Sequence, residues 1–459
     1  MAAQIKVIRQ VPKIPGKVIF GPGAYTDLLA SVEWLTKRCD ELVQWYTETN
    51  PESAREAKDA ASVLPGGNTR TVLHQLPFSM ALESGKGTLV TSKDGVEYLG
   101  FVSEYSAGMY GHSHPQIHKA VHEALDIGIN LGSVIGKETE FANLIKERFP
   151  SMELMRFTNS GTEANTMAIA AAIGYTKQEH ILVFKNGYHG STLTFGENKP
   201  VTNLPHKFIV GTYNDIEATR RLLRFGIAAI LVEPLQSAGG IIPATGEFLK
   251  FLRDAATTLN AVLIFDEIVT SRLDFYGLQG YHSIKPDMTT LGKYIGGGFS
   301  FGCFGGRKEI MQQFDPTRSA GHLAHSGTFN NNVFTMTAGI AGLKLTLPGE
   351  ISRINALGDR IRESINELAE QHGLKDEVKA VGFGSMVGVH FQNRGGQLLR
   401  DVFYFELLKR QVVIGRRGFI ALNLMHTEAH VNQFVNVASD SLGLLGRNLK
   451  EITLDVPHQ

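Results

Sequence analysis

Apolar residues fall at two different spacings along this chain, and the spacing changes with position. Over 28–63, Trp34, Leu35, Leu42, Val43 and Trp45 recur at helical intervals, and Asn50-Pro-Glu-Ser53 breaks and restarts the pattern. Two helices are expected there, after an irregular arm over residues 1 to about 27. Leu64-Pro-Gly-Gly-Asn-Thr-Arg70 follows as a turn-rich loop. Segments 80–84, 87–91 and 97–101 predict strands, the last reached through the turn Lys93-Asp-Gly95.

From Tyr110 onward helices and strands alternate. Helices are expected over 116–128 and 137–149. Compact apolar runs then recur at Leu154–Thr158, 181–184, 208–211, 228–232, 262–265 and 288–291. Runs without polar alternation fit strands buried on both faces. Their separation by helical segments predicts an α/β fold with a mostly parallel, doubly wound sheet. Helices over 333–347 and 351–371 and a strand at Met386–Phe391 open a C-terminal α+β stretch. The expected division is 1–109 as an N-terminal arm and segment of a small domain, 110–334 as the large domain, and 335–459 as the C-terminal small domain.

Composition narrows the function. The chain has 459 residues, too many for one core. Its 45 basic residues balance 45 acidic ones at a pI of 7.3, so nothing points to nucleic acid or an anionic membrane surface. Cys39 and Cys303 are the only cysteines, which leaves no disulfide framework and no paired-cysteine metal site, and suits a reducing compartment. No apolar run approaches the ~20 residues of a membrane span. The first 26 residues carry Lys6, Arg9, Lys13 and Lys17 without an acid. They also lack Ser and contain Pro12, Pro15 and Pro22, which disfavours an amphipathic transit helix. A cytoplasmic location is expected.

Chemistry enters where buried strands end on charged residues. Ala261-Val-Leu-Ile-Phe-Asp266 ends on an acid, and Asp287-Met-Thr-Thr-Leu-Gly-Lys293 ends on a lysine before the glycine-rich turn to Gly298. Open α/β sheets place ligands at such strand ends. A lysine amine forms Schiff bases with carbonyls. A carboxylate can hold a pyridine nitrogen protonated, the pairing that pyridoxal 5'-phosphate (PLP) requires. Taken alone, the two residues fit a neutralised pair in a sheet equally well. Ser160-Gly161-Thr162, between a strand and an alanine-rich helix, supplies N–H and hydroxyl donors for an anion, although an ordinary N-cap explains Ser160 by itself. Tyr188, in Gly187-Tyr-His-Gly190, stands near the same edge and can stack on a flat ring. Glu233 ends another strand and serves a ligand or its neighbours equally well. Ile268, two beyond Asp266, shares its side of the chain and would cover the other face of a ring; alone it is a core residue.

Together these pieces resemble the class III aminotransferases of PLP fold type I, over nearly the whole chain from about residue 60. The matching runs are Asn159-Ser-Gly-Thr-Glu-Ala, Gly187-Tyr-His-Gly, Val232-Glu-Pro, Ile264-Phe-Asp-Glu-Ile, Leu291-Gly-Lys-Tyr-Ile-Gly-Gly-Gly and His325-Ser-Gly-Thr-Phe, in that order. The resemblance implies a large doubly wound domain and a smaller α+β domain formed by both terminal segments. Lys293 would carry PLP as a Schiff base and shuttle protons, and Asp266 would face the pyridinium nitrogen. Ser160, Gly161 and Thr162 would hold the phosphate, Tyr188 and Ile268 would flank the ring, and Glu233 would be a further cofactor contact. Thr328 would reach the phosphate of a partner subunit, which implies a homodimer with sites at the interface. No metal is expected.

Two further runs, Pro65-Gly-Gly-Asn-Thr-Arg70 and Tyr110-Gly-His-Ser-His-Pro115, are similar to glutamate-1-semialdehyde 2,1-aminomutases. The chain is more similar to bacterial β-amino acid (β-phenylalanine) aminotransferases. These share Arg156-Phe-Thr-Asn-Ser-Gly-Thr-Glu-Ala-Asn, Ala324-His-Ser-Gly-Thr-Phe-Asn-Asn-Asn332 and Arg417-Gly-Phe419. The aminomutases carry a glutamate where this chain has Arg416. The resemblance implies that Arg70 clamps the substrate carboxylate, a task suited to a guanidinium. Arg417 is implied to meet the keto acid or move aside for an aromatic side chain, with Arg416 as its competitor. Tyr105 is expected to line the side-chain pocket. The expected activity transfers the amino group of a β-amino acid to a keto acid such as 2-oxoglutarate or pyruvate. The alternatives are an aminomutase-like enzyme, a transaminase for other amines or D-amino acids, and a non-catalytic dimeric scaffold.

Overall fold

A computed structural model describes residues 22–449 apart from 130, 199, 320 and 394, with side chains from residue 32 onward. The arm expected over 1–27 lies outside the described residues up to 21 and is corrected beyond that. A helix already runs over Pro22–Thr49, because proline at a first helical position loses no backbone bond. The second expected helix is Pro51–Ala61.

Three short antiparallel strands come next: β1 (Leu82–Lys86), β2 (Leu89–Ser92) and β3 (Glu97–Gly100). The central sheet starts with β4 (Leu154–Thr158), β5 (His180–Phe184), β6 (Lys207–Gly211) and β7 (Ile227–Val232). A side ribbon of β8 (Leu235–Gln236) and β9 (Ile242–Pro243) intervenes. The sheet then continues with β10 (Val262–Asp266), β11 (Met288–Gly292) and β12 (Gly302–Gly306), in the order β4-β12-β11-β10-β7-β5-β6.

Every neighbouring pair in this sheet is parallel except at β12, which is antiparallel to β11 and to β4. That strand has no counterpart in the apolar pattern, because Gly302-Cys-Phe-Gly-Gly306 is rich in a residue that strands disfavour. The glycines answer to close backbone approach. A Cβ at Gly302 would collide with Ser160 O, and one at Gly306 with Asp287 O.

Strands β7, β10 and β11 are buried along their whole length. Alternate residues serve opposite faces: Ala229, Leu231, Val262 and Ile264 pack with Ala164, Ala168 and Ile169 of the helix Gly161–Thr176. Ile230, Val232, Leu263 and Phe265 pack with Phe248, Leu249 and Leu252 of the helix Gly246–Leu259. Each such aliphatic or aromatic side chain contributes about 1.5–3 kcal/mol through burial. The sheet is therefore covered on both sides, as a doubly wound fold requires.

Strands β13 (Val378–Phe383), β14 (Met386–Phe391) and β16 (Phe419–Ala421) form a second antiparallel sheet. Between them in the chain, β15 (Val412–Val413) pairs in parallel with β3 instead. Leu35, Leu42, Tyr46 and Tyr98 share one apolar cluster with Ile361, Phe403, Val412, Phe434 and Leu442. Segments from early and late in the described chain thus share one core. Among the described residues, no helix is long and apolar enough to cross a membrane.

Candidate active site

Parallel pairing brings the carboxyl ends of β5, β7, β10 and β11 to one edge, and two antiparallel pairings bring that of β4 there too. Asp266 is the last residue of β10 and is buried. Its Oδ2 accepts from Asn165 Nδ2 at 2.8 Å and from His189 Nδ1 at 2.7 Å, and its Oδ1 from Ile268 N at 3.1 Å. Asn165 is fixed in turn, accepting from Thr290 Oγ1 at 2.7 Å and donating to His189 O at 3.0 Å. Three donors on one carboxylate hold it aimed.

Lys293 follows β11 with φ +54°. Its Nζ donates to Tyr105 O at 2.7 Å and to Ser106 Oγ at 3.1 Å. Burial lowers the amine to about 8, against the pull of Asp266 and Glu233. Glu233 follows β7 and is buried, accepting from Tyr188 N at 2.9 Å and Ser237 N at 3.2 Å. Both of its oxygens therefore hold backbone, and burial pushes its carboxyl up to about 7. The Tyr188 that it anchors is 46% exposed.

Ser160 caps the helix Gly161–Thr176: its Oγ accepts from Glu163 N at 3.2 Å, and its carbonyl from Ala164 N at 3.1 Å. The N–H groups of Gly161 and Thr162 have no partner among the described residues, as at any helix start. Thr162 Oγ1 accepts from Ser191 N at 3.3 Å. A Cβ at Gly161 would meet Ile268 Cδ1, which would have to shift. Ile268 thus lies between the carboxylate and the helix start.

On the opposite side, Arg70 pairs with Glu104, and its guanidinium lies 5.7 Å from the centre of the Tyr105 ring. The Tyr105 ring packs on Phe419 at 5.3 Å. Arg416 is committed, with Nε and Nη2 bonded to Asp401 at 3.2 and 3.1 Å and its guanidinium 5.0 Å from the Phe405 ring. Arg417 is exposed and has no hydrogen-bond partner among the described residues. Thr328 also lies exposed, in a loop whose next residue, Phe329, is 56% exposed. Among the described residues, no group of His, Cys, Asp or Glu is placed to hold a metal ion.

The family model for class-III aminotransferases matches residues 72–435. This chain belongs to the class-III aminotransferases. It is 44% identical over 412 residues to the beta-phenylalanine transaminase of Variovorax paradoxus, covering 87% of this chain and 94% of that one. The crystal structure of a beta-phenylalanine aminotransferase from that organism matches with a TM-score of 0.86 at 42% identity, over 90% of this chain and 98% of that one. A solved transaminase with PLP bound matches at 0.81 and 30% identity, over 87% and 98%. The glutamate-1-semialdehyde 2,1-aminomutase 1 of Listeria innocua is 34% identical over 415 residues, covering 83% of this chain and 95% of that one. The protein is a PLP-dependent aminotransferase of fold type I.

The residues of this aminotransferase fit that cofactor. The helix start offers open N–H donors to a phosphate, and the triply held Asp266 offers a fixed negative charge. An amine stands at the end of the neighbouring strand β11, and Tyr188 leaves half of its surface free. Sequence reasoning missed what holds these groups. Asn165 and His189 each stood inside a quoted run without a role, yet both grip Asp266. It also missed that Ser103, Glu104, Tyr105 and Ser106 all turn left-handed, with φ +43°, +49°, +51° and +76°. Such a conformation costs about 1–2 kcal/mol per L-residue. No glycine or asparagine, the usual markers of a left-handed turn, announces it.

Proposed function

We propose that this aminotransferase moves the amino group of a β-amino acid, aromatic ones included, to a keto acid such as 2-oxoglutarate or pyruvate. The observation that carries the reading is Tyr105, which links a carboxylate site to the reactive amine. Its carbonyl accepts from Lys293 Nζ, while the Arg70 guanidinium lies over its ring. The 44% identity to a beta-phenylalanine transaminase supports the same reading.

PLP, when bound, supplies an electron sink for the carbon that carries the amine. Lys293 is the residue that would hold the cofactor, and its free amine would accept and return one proton at the amine-bearing carbon. An amine lowered to about 8 has a working neutral fraction near neutrality. Asp266 keeps the ring nitrogen protonated. Gly161 and Thr162 N–H groups and the Ser160 hydroxyl would hold the phosphate, and Tyr188 and Ile268 would cover the ring. Glu233 fixes the Tyr188 backbone. Arg417, the unpaired one of the two neighbours, takes the carboxylate of the keto acid. We divide the chain into 1–109 and 335–459, which build the small domain, and 110–334, the large one. Cys39 and Cys303, both free, suit a reducing, cytoplasmic setting.

Arg70→Ala tests the donor. Loss of a charge-assisted partner is expected to cost about 1.5–3 kcal/mol, or roughly ten- to a hundred-fold in kcat/KM for β-phenylalanine. Turnover of 1-phenylethylamine, which has no carboxylate, should not fall, and Arg417→Ala should mainly weaken the half-reaction with 2-oxoglutarate. Equal losses for both donors and the acceptor with Arg70→Ala would make that residue structural. An aminomutase remains the rival because of the 34% identical relative. Rapid conversion of glutamate-1-semialdehyde without an acceptor would decide for it.

We also propose that Thr328 acts across a dimer interface. In a mixed dimer of Thr328→Ala and Lys293→Ala chains, a contact between chains leaves one complete site and one with both defects. PLP affinity at the intact-lysine site should then equal that of the unmodified enzyme. Weakened affinity at that site would assign Thr328 to its own subunit's pocket.

A further inference from the structure

The left-handed turn from Ser103 to Ser106 is pinned from several directions. Ser103 Oγ donates to Ala421 O at 2.8 Å and accepts from Asn423 Nδ2 at 3.1 Å. Gly108 N donates to Ser103 O at 2.8 Å. Arg272 Nη1 donates to Ser106 O at 3.3 Å. A conformation this rare persists only where its surroundings over-determine it, and such sites gather where a function needs them. This turn presents Tyr105 O and Ser106 Oγ to Lys293 Nζ, and Lys293 is itself left-handed. Ser106 is only 1% exposed, so its hydroxyl has no competing solvent.

Arg272 is the second observation. It is fully buried, yet among the described residues it pairs with no carboxylate. Among the described residues it donates only to the carbonyls of Ser106 and Leu422, and its Nε has no partner. A guanidinium buried on carbonyls alone is costly to keep, and its charge stays uncompensated beside the turn. Four charged groups act on the Lys293 amine besides burial. Asp266 and Glu233 favour the ammonium form, and Arg272 and Arg70 oppose it.

We propose that this turn and Arg272 form a cradle for the Lys293 amine whenever it is not bonded to the cofactor. Ser106 fixes the direction of its lone pair, and Arg272 holds the turn through the Ser106 carbonyl and adds to burial in favouring the neutral amine. The proton leaves the amine-bearing carbon for Nζ while the C–H electron pair stays behind, and the same proton is later returned, so nothing else is consumed. Ser106 and Arg272 are positioning residues, and the inference rests on Lys293 being the reactive lysine.

The test starts with the full-length chain stripped of PLP. Competitive acetylation of Lys293, read by mass spectrometry from about pH 6 to about pH 11, gives its half-protonation point without cofactor chemistry. Arg272→Met should raise that point by about one pH unit, a tenfold change in the neutral fraction, and Arg272→Lys should restore it. Ser106→Ala in the loaded enzyme should slow exchange of the substrate's reacting C–H with solvent deuterium about tenfold. An unmoved titration in Arg272→Met, or unmoved exchange in Ser106→Ala, overturns the proposal. If Arg272→Met does not fold, Ser106→Ala decides alone. A borohydride adduct on another lysine would instead remove the functional reading beneath it, which the cofactor-free titration does not depend on.

Discussion

Lys293→Ala will give a folded protein that binds PLP without a covalent bond and shows no measurable half-reaction with any donor. The fold should survive because lysine and alanine are equally poor fits to the φ of +54° at this position, so the substitution adds no backbone strain. The two acceptors it abandons, Tyr105 O and Ser106 Oγ, can be satisfied by a water in the space the side chain leaves. What disappears is the buried amine that follows β11, next to the strand that Asp266 ends. Proton transfer by a placed side chain is worth about 10²–10⁴-fold by itself, and the loss of covalent anchoring adds to that. The measurement is cofactor absorbance during reaction with β-phenylalanine, together with borohydride reduction and peptide mapping of the unmodified enzyme. Mapping of the reduced adduct to any lysine other than Lys293 would sink the assignment.

The parts of this site that the sequence made legible are those whose signal is local. Strands β7, β10 and β11 announce themselves as apolar runs because both faces are covered, and Asp266 and Lys293 stand out because charge ends such runs. β12 stayed hidden because the constraint on it is not its own: Ser160 O and Asp287 O forbid side chains at Gly302 and Gly306. The same holds for the supports of the site. Asn165 and His189 reach Asp266 across 101 and 77 positions, and Tyr105 reaches Lys293 across 188. No periodicity records such distances. The choice between Arg416 and Arg417 is of this kind too. Adjacent and chemically alike in sequence, they part only when Asp401, one helix earlier, takes Arg416 in a two-point pair.

Asp266→Asn is expected to keep covalent PLP binding and lose about 10²–10³-fold in the rate of the half-reaction, the usual scale for removing a preorganised charge from a water-excluded site. The carboxylate is placed to accept on both oxygens: Oδ2 takes Asn165 and His189, and Oδ1 takes the Ile268 N–H. An amide must turn its NH2 towards one of these sets of donors. Facing Ile268 N, it leaves a buried donor unpaired, at about 1–3 kcal/mol. Facing the other pair, it can be accommodated only if His189 changes tautomer and Asn165 flips, which breaks the 2.7 Å bond from Thr290 Oγ1. Either arrangement also removes the negative charge, and a neutral amide does not hold a pyridine nitrogen protonated. The larger loss should therefore be in rate and the smaller in stability. Stopped-flow absorbance with β-phenylalanine separates the two from a thermal melt of the same preparation. Near-unmodified rates with a lowered melting temperature would mean that Asp266 serves only to lock Asn165 and His189, and that another group meets the ring nitrogen.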